Sequence, residues 1–339
     1  MPNVSPTREV RPFPDGWFCV APAGELLAGT VRTQALAGGE VVVFRTGDGA
    51  VGIVDPHCPH LGAHLGHGGR VIGDALRCPF HGFRWRRDGT CAGTEYAANP
   101  TVHARLRSWP VREIHGHVLT WWSADGGEPG WDLPTLDTEG WSEPLTTTLS
   151  LRAHLEDLAE NGVDLGHFGA VHRYFDLQEP VIEHFDQPIL HSRFGFSRRN
   201  PLSTFLAPVE SVFDTQICGL GFSLTDLTIK SFGLHCRIYL FATQLDTERL
   251  TFTISISADR RRRSTARGAG WLLRSRVSTD LFVRFLMRKV LADVEQDRAI
   301  WENRRHLERP GLVKGDGPIG RFRGWTRQFY SAASGGGPP

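Results

Sequence analysis

The chain has no excess of charge of either sign: 38 Lys and Arg stand against 37 Asp and Glu in 339 residues. That balance disfavours a basic nucleic-acid surface, and 40% hydrophobic with 22% charged residues disfavours disorder. Cysteine is scarce. Six residues (Cys19, Cys58, Cys78, Cys91, Cys218, Cys236) are too few to staple a chain of this length. The N-terminus MPNVSPTREVRPFP lacks the apolar run of a signal peptide, so a reducing cytoplasm is expected. No window offers about 18 uncharged apolar residues, the length a membrane span needs. The most apolar helical candidate, Trp271 to Leu291, is crossed by Arg274, Arg276, Asp280, Arg284, Arg288 and Lys289. No repeat of about 20 to 50 residues is present.

At roughly 100 to 200 residues per domain, the length predicts two domains. From Gly16 to Trp122, short β-branched and aromatic runs such as EVVVFRT and VLTWW alternate with glycine turns, the pattern of an antiparallel β domain. Gly and Pro cluster again at Gly126 to Pro134, which puts the boundary near residue 130. The expected division is 1–130 (core 16–122), 131–330, and a disordered tail 331–339. In the second part, Leu151 to Gly166 has near-helical apolar spacing, Val181 to Ser257 alternates like a sheet, and Thr279 to His306 resumes a helical period. The fold class is therefore α+β: an antiparallel β domain, then an antiparallel sheet with helices.

Two cysteines and two histidines carry the first chemical signal. Cys58-Pro59-His60 and Cys78-Pro79-Phe80-His81 form C-x-H, a spacer, and C-x-x-H. Such a set can hold a tetrahedral zinc or a [2Fe-2S] cluster with cysteines on one iron and histidines on the other. A zinc finger would pair its cysteines first and its histidines later, whereas each limb here has one of each, which favours the cluster. His57, His64 and His67 crowd the same stretch as loop histidines, and Cys91 lies outside both limbs.

A second signal is Asn161-Gly-Val-Asp164-Leu-Gly-His167 followed by His172. On an unbroken helix a five-residue step leaves two imidazoles about 140° apart, so a helix there must kink or widen, which Gly166 and Gly169 allow. Two histidines and a carboxylate form the facial triad of non-haem Fe(II) oxygenases, with positions left for O2 and substrate. The candidate carboxylate is Asp297 on the late helix, with Asp293 one turn earlier as the alternative.

Cys58-Pro-His60-Leu-Gly-Ala and Cys78-Pro-Phe-His81-Gly-Phe resemble the cluster-binding motif of Rieske proteins, and Asn161-x-x-Asp164-x-x-His167-x4-His172 resembles the catalytic domain of Rieske non-haem iron oxygenases. Nearly the whole chain is covered. The C-terminal stretch from Asp297 and Trp301 through Gly315-Asp316-Gly317-Pro318-Ile319 to Trp325 and Tyr330 resembles the 3-ketosteroid 9α-hydroxylase oxygenase and cholesterol 7-desaturase branch. The resemblance implies a Rieske [2Fe-2S] cluster on Cys58, His60, Cys78 and His81, and a mononuclear Fe(2+) on His167, His172 and Asp297. It gives Asn161 and Asp164 catalytic roles, with Asp164 linking the iron site to His81 of a neighbouring copy in a homotrimer. It also implies a ferredoxin or flavin reductase that delivers electrons from NAD(P)H. The expected reaction is hydroxylation or desaturation of a bulky apolar, steroid-like substrate. A non-steroid or aromatic substrate, a pure electron carrier and a zinc-bound module are the competing readings. Phe168, Phe205, Phe213, Phe232 and Phe241 are candidate pocket residues, and Arg260 to Arg263 a candidate docking patch for an acidic partner.

Overall fold

A computed structural model describes residues 11–97, 104–199, 207–261 and 275–331. The chain forms two compact units, one of residues 15–135 with 243–246, the other of 136–242 and 247–331 with 11–14. Phe205, Arg262, Arg263, most of the expected tail and the start of the Trp271 to Leu291 segment lie outside the described residues.

Among its described residues the first unit has ten short strands: β1 Gly16–Pro22, β2 Val31–Leu36, β3 Gly39–Arg45, β4 Val51–Val54, β5 Arg70–Ile72, β6 Ala75–Arg77, β7 Arg84–Arg86, β8 Cys91–Gly93, β9 Val111–Ile114 and β10 His117–Trp122. They assemble into three antiparallel sheets, ordered β1-β10-β9, β2-β3-β4 and β5-β6-β7-β8. Val42, Phe44, Val54, Leu65, Leu76, Phe83, Trp85 and Leu106 pack into one buried cluster that includes Cys58 and Cys78. Both thiols are thus fixed by the core itself rather than by mobile loop tips.

The second unit is a seven-stranded antiparallel sheet ordered β11-β17-β16-β15-β14-β13-β12. Its strands are β11 Leu145–Leu151, β12 Val181–Glu183, β13 Ile189–Arg198, β14 Val209–Cys218, β15 Phe222–Ile229, β16 Leu234–Gln244 and β17 Leu250–Ala258. Among the described residues, four α-helices accompany it: α1 Leu155–Glu160, α2 Leu165–Ala170, α3 Arg276–Trp301 and α4 Ile319–Thr326. The α+β class and the antiparallel β first domain are as the sequence predicts. Among the described residues, no helix is long and apolar enough to cross a membrane.

Two local expectations are corrected. Leu151 to Gly166 is not one helix: Leu151 ends a strand, and two short helices flank a break at 161–164. The break is chemical in origin. Gly162 weakens the helix, and the Asp164 carboxylate accepts the His167 N–H to start a new one. Neither a kink nor a widened turn brings His172 round to His167. The helix ends at Ala170, Arg173 takes a left-handed conformation (φ 57°), and the Tyr174 N–H returns to the Phe168 carbonyl. His172 thus lies just past the end of the helix and is freed from its 100° periodicity.

Candidate metal centres and substrate cavity

The two limbs of the first motif fold into matching clips. In one, the Cys58 N–H donates to the Ala63 carbonyl (2.9 Å) and the Gly62 N–H to the Cys58 carbonyl (2.9 Å). In the other, the Cys78 N–H donates to Phe83 (2.7 Å) and the Gly82 N–H to Cys78 (3.2 Å). Each turn needs a left-handed residue, and glycine supplies it at Gly62 (φ 73°) and Gly82 (φ 67°). The clips bring the rings of His60 and His81 to 4.7 Å between centroids.

These donors fit a [2Fe-2S] group. Burial pushes the Cys58 thiol up, the neighbouring Cys78 sulfur adds to that, and the N–H groups of His60 and Trp85 only partly offset it. A buried thiol that resists ionisation beside a second buried sulfur is relieved by a cation between them. His81 Nδ1 is buried without a hydrogen-bond partner, as a nitrogen reserved for a metal would be. The Trp85 indole N–H donates to the Cys58 sulfur at 3.3 Å, a neutral donor aimed at a position where charge would reside. His57, His64 and His67 contact one another instead, and His64 also reaches Glu40. Cys91 is half-buried beside Gly93.

In the second unit, His167, His172 and Asp297 each present one ligand atom, and these atoms lie within 4.8 Å of one another. His167 donates its Nδ1–H to the Asp164 carbonyl (2.6 Å), and His172 lies with Nδ1 3.3 Å from the Gln296 side-chain oxygen. Both contacts place the proton on Nδ1 and leave Nε2 as the free donor atom. The Nε2 of His172 lies 3.3 Å from Asp297. Burial pulls the His172 imidazole down, yet the Asp297 carboxylate beside it outweighs burial and leaves it above its ordinary pKa. Two imidazoles held in the ligating tautomer beside a nine-tenths-buried carboxylate suit a divalent iron.

Asp293, the alternative carboxylate, is engaged elsewhere. It accepts the Tyr174 hydroxyl (3.0 Å) and the Arg198 guanidinium (3.1 Å), and Arg198 lies over the Tyr174 ring. Asp164 caps α2, its side chain still partly exposed. Burial pushes its carboxyl up, but His167 and the first N–H groups of the helix more than compensate and hold it below the usual range. Asn161 ends α1 and lines the cavity described next. The C-terminal Gly315-Asp316-Gly317 turn supports this loop: the Leu165 N–H donates to the Asp316 carbonyl (3.2 Å), and a Cβ on Gly317 would stand 2.2 Å from the Val163 carbonyl. Gln296 was not singled out by the sequence, because only the fold brings it to His172.

An apolar cavity of about 470 Å³ opens onto His167, His172 and Asp297. The strands β13 to β17 form its floor and the inner face of α3, through Phe282, Leu286, Val290, Asp293 and Asp297, its roof. Phe168, Phe213 and Phe232 line it as expected, whereas Phe241 points away and stacks on Phe222. Of the basic run, Arg261 is held by Asp137 and Asp259.

Residues 16–110 match the Rieske [2Fe-2S] domain, and residues 120–330 match the 3-ketosteroid 9alpha-hydroxylase C-terminal domain. A cholesterol 7-desaturase of Xenopus laevis is 30% identical over 350 residues, covering 94% of this chain and 72% of the relative. The oxygenase component of a 3-ketosteroid-9-alpha-monooxygenase from Rhodococcus rhodochrous is 27% identical, covering 97% of this chain and 86% of that one. Crystalline dicamba monooxygenase shares the fold, with a TM-score of 0.68 at 18% identity over 94% of this chain and 98% of that chain. With a Rieske domain followed by a domain of this kind, the chain belongs to the Rieske oxygenase family of the 3-ketosteroid 9α-hydroxylases and cholesterol 7-desaturases, and it is an oxidoreductase.

Proposed function

We infer that this chain is the terminal oxygenase of a multicomponent system that hydroxylates or desaturates a bulky apolar, steroid-like substrate. The observation that carries the reading is the aromatic cavity ending on His167, His172 and Asp297, of a size within the roughly 300–1,000 Å³ of small-molecule sites. An electron carrier has no use for such a cavity. When bound, a [2Fe-2S] cluster on Cys58, His60, Cys78 and His81 supplies single electrons, and an iron on the triad supplies O2 activation.

The protein's own residues do the rest. Phe168, Phe194 and Phe213 exclude water from the space beside the triad. The Asp164 carbonyl and Gln296 hold both imidazoles in one tautomer. Asp164, ionised and partly exposed, is available to a donor from a neighbouring copy, and a homotrimer in which it meets the outer nitrogen of His81 is the assembly we propose. Electrons are assigned to a separate NAD(P)H-dependent reductase, with or without a ferredoxin. Six free cysteines accord with a cytoplasmic setting.

The test is oxygen uptake with a generic ferredoxin and reductase pair, screened against steroids and aromatic acids. Turnover of a steroid, lost in His172→Ala while the cluster absorbance persists, is the expected result. Turnover that survives His172→Ala, or that responds only to aromatic acids, defeats the reading. Asp164→Asn is expected to retain both metal centres and slow electron arrival at the iron. A monomer by light scattering would remove the trimer.

A further inference from the structure

We propose that Thr215 and Thr225 form the polar anchor of the cavity, recognising a single neutral oxygen of the substrate, a ketone or a hydroxyl, and so determining which carbon faces the triad. The proposal rests on the cavity being the substrate site. Along β14 the lining residues alternate as Val209, Ser211, Phe213, Thr215 and Ile217, and along β15 as Ser223, Thr225, Leu227 and Ile229. Thr215 and Thr225 face each other directly across the two strands. Both are more than nine-tenths buried, and their hydroxyl oxygens are 2.9 Å apart.

A hydroxyl pair carries two donors and four lone pairs, and the bond inside the pair uses one of each. One O–H is left to donate to a ligand carbonyl, and the lone pairs can accept from a ligand hydroxyl. The row on one side is apolar, Phe194, Phe213 and Leu227, and on the other Ser223 stands between Ile217 and Leu240. Ser192, which continues the row beyond Thr215, turns its hydroxyl to the Gly162 carbonyl (3.4 Å). The polar groups at the opposite end of this face, Arg198 and Asp293, are paired with each other.

Position gives the pair its selectivity. Phe168 packs between His172 (5.9 Å) and Phe213 (6.2 Å), and Thr215 follows Phe213 on the same face at a spacing of about 7 Å. A rigid ligand seated by its oxygen on the pair therefore lies across Phe213 with its hydrocarbon body directed at the histidines. A ligand without that oxygen leaves a donor unpaired in a dry cavity, which weakens binding by about ten- to a hundredfold.

The test is equilibrium dialysis of the metal-loaded protein with tritiated 5α-androstan-3-one and its deoxygenated parent, 5α-androstane. The expected result is a preference of about tenfold or more for the ketone, reduced to within about threefold in Thr215→Val/Thr225→Val and restored in Thr215→Ser/Thr225→Ser. Equal binding of both probes to the unaltered protein, or a preference that persists in the double valine variant, overturns the anchor while leaving the cavity as the substrate site. If neither probe binds the unaltered protein, the cavity reading fails and the anchor with it. Should the double valine variant lose both probes, Thr215→Ala/Thr225→Ala, which also removes both hydroxyls, decides: an undiminished ketone preference there refutes the anchor, and a reduced one supports it.

Discussion

Trp85→Phe isolates one hydrogen bond. The indole is fully buried, its ring is nearly parallel to Phe83 (16°, 6.1 Å), and its N–H donates to the Cys58 sulfur at 3.3 Å. Phenylalanine keeps an aromatic ring in the cluster-side core and deletes only the donor and one ring's bulk. A hydrogen bond to a charged acceptor is worth about 1.5–3 kcal/mol. The reduced cluster carries one more negative charge than the oxidised one, so it gains more from the donor. Taking about 1 kcal/mol as that difference, and 59 mV per tenfold for one electron, the potential falls by about 40 mV on substitution. The assay is a dye-mediated titration followed by visible circular dichroism, with the spectrum confirming an intact cluster. Phe83→Leu, which disturbs the stacking but leaves the donor, is the control and should shift the potential less. An unchanged potential in Trp85→Phe, or an equal fall in Phe83→Leu, refutes the assignment of the effect to the indole N–H.

Asp297→Ala is expected to lose the chelatable iron while Asp293→Asn retains it, because Asp293 is occupied by Tyr174 and Arg198; metal analysis showing the reverse would reassign the ligand. Gln296→Leu removes the acceptor of the His172 Nδ1–H and is expected to weaken iron affinity by about 10- to 100-fold, measured by competition with a chelator. His117 is fully buried, and burial pulls its pKa from 6.5 down to about 4. Between those values the unfolded chain binds the proton and the folded one does not, so stability is complete above pH 6.5 and falls as pH drops towards 4. The loss amounts to about 3 kcal/mol. Denaturant midpoints read through the cluster's visible signal should show this slope, and His117→Gln should flatten it; an identical slope in the variant argues against His117 as the source.

The first unit's chemistry was legible because it is local. Each of Cys58, His60, Cys78 and His81 lies within four residues of its own glycine turn, and that proximity survives folding unchanged. His167 and His172 were legible for the same reason, but how they converge was not. Helical arithmetic asked for a distortion, while the chain simply stops the helix and reverses at Arg173, a residue with no sequence preference for a left-handed turn. The choice between Asp293 and Asp297 depended on Tyr174 and Arg198, about 95 to 120 residues upstream and beyond the reach of any periodicity. The cavity lining was the least legible part. Alternation says that Phe213 and Phe241 each face one side of a sheet, but not which side lies under α3.

The triad loop is secured from behind by the Asp316 carbonyl and by Gly317, although the proposed ligands lie at 167, 172 and 297. In a chain made from its N-terminus, the histidines emerge long before the aspartate that completes their set, and the brace that steadies them emerges later still. The cluster clips are finished by residue 83, so every proposed ligand of one centre is made before the first of the other, and the brace of the second is made last. A truncation just before Gly315 would therefore spare every ligand and still leave the catalytic iron poorly held.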